Sequence, residues 1–166
     1  MRPFIGVGIS IGVLAAIWTE LSVQLGFVTW VGFVAWACFY AAGAGFGGFR
    51  KGLAANISGA VYGWLVGLFV GVAAFPGALA IAVGVIALAM CLQAGWRPLS
   101  FIPGAFAGTA AFFGTGLAFW PTVLALALGA ALGWASAVLG ERIQRLVDRS
   151  ALASAGDEQA TSAPAG

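Results

Sequence analysis

The sequence contains no histidine. That removes the commonest metal ligand and the commonest general base at neutral pH. Charge is almost as scarce: charged residues make up 7% of 166 positions, where soluble domains carry about 25%. A water-facing surface cannot be built from so few charges. Cysteine is limited to Cys38 and Cys91, both inside apolar runs; buried free thiols behaving as small hydrophobes are the expected reading, with a disulfide as the alternative. The net charge of +2 is too mild to imply nucleic acid, and no basic patch interleaves with aromatics. No phosphate loop, no nucleophile beside a base and no metal-spaced cluster appears. Ser58 and Ser100 have no histidine or lysine placed to activate them. We therefore expect no catalytic residue, no metal and no cofactor, and enzyme is the least favoured class.

What the sequence has in excess is apolar surface. Hydrophobic residues make up 62%, and the mean hydropathy is +1.05. Lipid is the solvent that such a chain suits. Arg2 followed by the apolar run Phe4 to Trp18 has the look of a signal peptide. No small-x-small cleavage site follows at Trp18-Thr19-Glu20-Leu21, so the run is expected to stay as a first span.

The charges divide the chain. Between Pro3 and Phe49 the one charge is Glu20; Gly52 to Trp96 and Pro98 to Gly140 carry none. One crossing takes about 20 residues, so each block holds two crossings and a turn. Turn chemistry falls near the block centres, at Gln24-Leu25-Gly26, Phe75-Pro76-Gly77 and Trp120-Pro121. The expected spans are 4–23, 27–43, 53–74, 77–94, 99–118 and 122–140. Arg2, Arg50 with Lys51, Arg97, and Arg142, Arg145 and Arg149 then all lie on one membrane face, which by the positive-inside rule is cytoplasmic, as are both termini. The fold class is thus an all-α, polytopic transmembrane bundle of six spans in residues 1–140. A four-span alternative makes Gly43–Gly48 or Pro98–Gly104 a re-entrant loop. Residues 141–152 read as an amphipathic cytoplasmic extension of the last helix, and 153–166 as a disordered tail.

Glycine supplies the strongest pattern. Gly59, Gly63, Gly67 and Gly71 recur every fourth residue, as do Gly104 and Gly108, Gly129 and Gly133, and Gly8 and Gly12. Such stripes are the ordinary packing surface of membrane helices, or else one ridge lines a pore or a subunit contact. Polar residues inside the spans are candidates for a solute path: Asn56, Ser58, Gln93, Ser100 and Thr109, with Glu20 near the outer mouth beside Gln24. For each, the plainer reading is a bond to a neighbouring helix. Trp18, Trp30, Trp96 and Trp120 fall near span ends as an aromatic belt, whereas Trp36 and Trp64 lie inside spans.

Several stretches look familiar. Gly12-Val-Leu-Ala-Ala-Ile-Trp18, Trp30-Val-Gly32-Phe33, Gly52-Leu-Ala-Ala-Asn56-Ile-Ser-Gly59, Met90-Cys91-Leu-Gln93 and Ser100-Phe-Ile-Pro103-Gly104-Ala-Phe106-Ala-Gly108 together resemble the YcdZ-like family of small bacterial inner-membrane proteins, a family defined by a domain of unknown function. The resemblance covers most of residues 5–140 and leaves out the tail; Glu20 is not among the matching positions. It implies a multi-pass protein of the bacterial inner membrane and supplies no catalytic or binding residue. Two functions follow as expectations: a channel or facilitator for a small neutral solute, assembled as a homo-oligomer in the lipid bilayer, or a non-transporting component that binds or stabilises a partner protein.

Overall fold

A computed structural model describes residues 4–73 and 75–162, with side chains described as far as Ser150. Among these residues there is no strand, and six helices follow one another: α1 (Ile5–Leu25), α2 (Thr29–Ala41), α3 (Gly45–Val72), α4 (Ala78–Gln93), α5 (Ile102–Gly114) and α6 (Phe119–Ser162). Three are long and apolar enough to cross a membrane: α1, α3 and the Phe119–Ser150 part of α6. With a rise of 1.5 Å per residue, the 13 residues of α2 and of α5 reach about 20 Å, short of a hydrocarbon core of about 30 Å.

The boundaries correct several expectations. The third helix begins at Gly45 rather than at 53, so Arg50 and Lys51 stand on a helix and not in a loop. Of Gly43–Gly48, the re-entrant loop of the four-span alternative, the part from Gly45 is helix, and positive φ is confined to Gly43, Ala44 and Gly45. Pro98 lies in a short 3-10 turn, Arg97–Leu99, and Pro103 in the first turn of α5, where its missing N–H leaves no bond unmade. The last helix runs without a break to Ser162, through the stretch where composition suggests a disordered tail from 153; alanine, the best helix former, recurs through it. Residues 163–166 lie outside the described chain.

The chain forms two compact units, one from the chain through Ile17 together with Ala135 onward, the other from Trp18 to Trp134. In the first, the Ser10 hydroxyl donates to the Ser136 carbonyl at 2.7 Å, and the Gly6 N–H donates to Gln144 Oε1 at 2.9 Å. A methyl group on Gly140 would lie 2.8 Å from the Val7 Cα, so the backbones touch there. Gly8 and Gly12, expected as the packing pair of this helix, face open space instead.

The second unit holds the core, in which Val31, Ala35, Ala60, Ala111, Phe112, Ala125 and Leu126 are buried together. Its outer surface is apolar: Leu65, Leu68, Val85, Leu88 and Leu92 are exposed. Such a surface is stable against lipid and not against water. Cys38 is buried and Cys91 exposed, and both are free thiols; the expectation that both are buried fails for Cys91. Trp18 does not join an aromatic belt, since its ring is buried and its Nε1–H donates to the Thr29 carbonyl at 3.0 Å. Trp30, Trp96 and Trp120 are exposed.

Candidate functional site

The two short helices end in the same way. After α2, the N–H groups of Ala42, Gly43 and Ala44 donate to the carbonyls of Cys38, Tyr40 and Phe39 at 2.9, 3.0 and 3.0 Å. After α5, those of Thr115, Gly116 and Leu117 donate to Ala111, Phe113 and Phe112 at 3.0, 3.1 and 3.1 Å. This is the Schellman arrangement, which needs a left-handed residue after the helix. Gly43 and Gly116 supply it, with φ of 104° and 67°. The next residue keeps a positive φ in both turns although it has a side chain: Ala44 at 53° and Leu117 at 68°.

The same helices also pack alike. A Cβ on Gly59 of α3 would collide with the Ala105 carbonyl of α5, and one on Gly63 would lie 2.7 Å from the Phe112 ring. A Cβ on Gly129 of α6 would collide with the Gly32 carbonyl of α2, and one on Gly133 would lie 2.8 Å from the Phe39 ring. Gly32 matches Ala105, and Phe39 matches Phe112. Within the second unit, then, a short helix of each half lies against the long glycine-bearing helix of the other half, by the same four-residue step. Within this unit, α2–α3 and α5–α6 thus repeat one pattern of turn and crossing, and α2 also packs on α5.

One residue breaks the match. One turn before Gly59, α3 carries Asn56, where α6 carries Leu126 one turn before its own Gly129. Both are fully buried. The Asn56 backbone carbonyl lies so close to α5 that a Cβ on Gly108 would collide with it. The Cys38 thiol of α2 is a weak hydrogen-bond partner of the Asn56 side chain, and beyond that contact neither Oδ1 nor Nδ2 finds a partner in hydrogen-bonding geometry. A buried carboxamide left in this state costs about 1–3 kcal/mol. It offers both a donor and an acceptor.

The other candidates separate. Thr109 shares the α3–α5 crossing, but its hydroxyl donates to the Gly59 carbonyl at 2.7 Å, with Ala105 as a second acceptor at 3.1 Å. It ties helices together, and Thr109→Val is expected to lower stability by about 0.6 to 1.7 kcal/mol in a thermal melt. Ser58 and Gln93 meet on the other side of α3, where Gln93 Nε2 donates to Ser58 Oγ at 3.3 Å while Gln93 Oε1 is buried without a partner. Ser100 is exposed and bonds the Arg97 carbonyl, so Ser100→Ala is expected to leave the melt unchanged. Glu20 is exposed on α1 and accepts from the Gln24 amide one turn on. Of the glycine ridge, Gly59 and Gly63 make close approaches, Gly67 touches only Leu117 at 3.9 Å, and Gly71 faces open space. Gly104 is packed under the Phe101 ring.

The chain has clear relatives. Residues 8–141 match the family model described as "Protein of unknown function (DUF1097)". The chain is 34% identical over 140 residues to "Inner membrane protein YcdZ" of Escherichia coli (strain K12), covering 81% of this chain and 84% of that protein. It is 33% identical over 157 residues to "Uncharacterized protein YahC" of the same strain, covering 86% and 94%. "Inner membrane protein YcdZ" of Salmonella typhimurium is 34% identical over 140 residues, covering 81% and 86%. No solved structure matches the chain significantly.

Proposed function

Because the chain belongs to the DUF1097 family, we propose that it is a multi-pass protein of the bacterial inner membrane that lets a small neutral solute pass, and that Asn56 is the side chain the solute meets. The observation that carries this is the orphaned Asn56 carboxamide, buried where the short helices of an internal repeat meet a long one. Repeats whose short or broken helices converge on one point are the common architecture of solute-passing membrane proteins, and the solute site lies at the repeat interface. An amide with a free donor and a free acceptor suits a neutral polar molecule. It carries no net charge to balance an ion.

In this reading all six helices cross, with the flanking turns completing the passage of α2 and α5. Three crossings per half is an odd number, so the second half is inverted relative to the first. Both termini are cytoplasmic, because Arg2, Arg50, Lys51, Arg97 and the arginines after 140 then share that side. No span carries a charge pair, so passage is not coupled to ions, and the protein performs no covalent chemistry. Residues around Asn56 are closely packed, so the described conformation is a closed one.

Proteoliposome swelling against a panel of urea-sized and larger neutral solutes tests this. Faster swelling than empty vesicles is expected for the smallest members, with a cut-off as size increases. Rates equal to empty vesicles across the panel would sink it and leave the alternative, a non-transporting component that stabilises a partner.

A further inference from the structure

A second feature lies on the face of α3 turned toward α4, away from Asn56. Near the start of α3 a cavity of about 300 Å³ is lined by Arg50, Lys51 and Ala54 together with Arg97 and Pro98 of the 3-10 turn. Arg50 also lies over the Phe46 ring, 5.7 Å from its centre. Among the described residues the one ion pair is Glu141 with Arg145, so no carboxylate neutralises these three cations. Farther along α3, an apolar groove of about 330 Å³ runs between α3 and α4, past Leu65, Phe69, Ile81 and Val85. Ala54, Ser58, Tyr62 and Val66 follow one another by four residues along α3, so they form one stripe that joins the two cavities. Between them sits the Ser58–Gln93 pair, with Gln93 Oε1 buried and lacking a donor.

We propose that this seam binds one anionic glycerophospholipid of the phosphatidylglycerol kind: the phosphate at Arg50, Lys51 and Arg97, a hydroxyl of the polar region donating to Gln93 Oε1, and an acyl chain in the groove between α3 and α4. The order of chemistry along the seam is cationic, then hydrogen-bonding, then apolar, which is the order along such a lipid. Basic pockets between membrane helices on the cytoplasmic side are a known mode of headgroup recognition, and each cation near the lipid surface contributes about 1 kcal/mol, a factor of about five in affinity. A free phosphate would satisfy the cations alone and leave both the groove and the Gln93 oxygen unmet.

The test uses the delipidated full-length protein in detergent, titrated separately with phosphatidylglycerol, phosphatidylcholine and inorganic phosphate. Bound lipid is counted by native mass spectrometry and stability is read from a thermal melt. Phosphatidylglycerol is expected to bind one to one and raise the melting temperature by roughly 5 °C at saturation, with the other two giving neither effect. R97Q is expected to weaken binding about fivefold, and R50Q/K51Q/R97Q about a hundredfold. Val85→Trp, which fills the groove and leaves the charges alone, is expected to weaken it as well. Equal binding of the two lipids would overturn the proposal, as would an equal shift with inorganic phosphate. So would unchanged phosphatidylglycerol binding in R97Q, a variant whose altered side chain is exposed and unpaired and so should not disturb the fold.

Discussion

Replacing Asn56 with leucine is expected to make the protein more stable and to stop solute passage. The two side chains have nearly the same branched shape, so the substitution exchanges an orphaned amide for an apolar group without opening a cavity. Relief of the buried, unpartnered donor and acceptor is worth about 1–3 kcal/mol. Each kcal/mol moves the melting temperature of a chain this size by roughly 2–4 °C. The molecule already contains the precedent: Leu126 fills the matching place on α6 and is fully buried in the core. A melt at or below that of the unaltered protein would show that the Asn56 amide has a partner after all.

The second large effect concerns the crossings. Gly59→Val and Gly129→Val are each expected to lower stability by at least about 3 kcal/mol, because the added Cβ meets a backbone carbonyl that cannot move aside. Such variants should accumulate poorly in the membrane and melt early or not fold. Gly71→Val, on the same ridge and with no atom near its Cβ, is expected to be tolerated. If the account of a matched repeat is right, the penalties at Gly59 and Gly129 are alike. A mild effect at either site, with a severe one at its counterpart, would mean that the two crossings are not equivalent.

Much of the architecture was legible in the sequence, because lipid imposes a simple rule on charge and length. The uncharged blocks and their central turns located six helices within a few residues at most ends. The start of α3 was misjudged because Gly45, Gly47 and Gly48 read as a loop, whereas about two turns of helix here carry the basic pair. The glycine spacing found the right helices but not the right faces: Gly59, Gly63, Gly129 and Gly133 are closely approached, while Gly8, Gly12 and Gly71 are not. Spacing alone cannot say which side of a helix another backbone takes. The repeat was present as Gly32-Phe33 with Phe39 and Ala105-Phe106 with Phe112, but two phenylalanines at one spacing are a weak signal in a chain with 13 of them. Only the identical turns and the reciprocal crossings give it meaning. Likewise, Asn56 and Thr109 read alike in the sequence. They differ because the Thr109 hydroxyl reaches the Gly59 carbonyl, whereas the buried Asn56 amide has only the weak Cys38 thiol beside it.

The account is tested most directly by stopped-flow swelling of vesicles holding the unaltered protein and Asn56→Leu side by side, at equal amounts of folded protein, with the smallest solute that passes. Swelling above the empty-vesicle rate for the first and at the empty-vesicle rate for the second is the expected result. Equal rates for the two proteins, whether fast or slow, would contradict it.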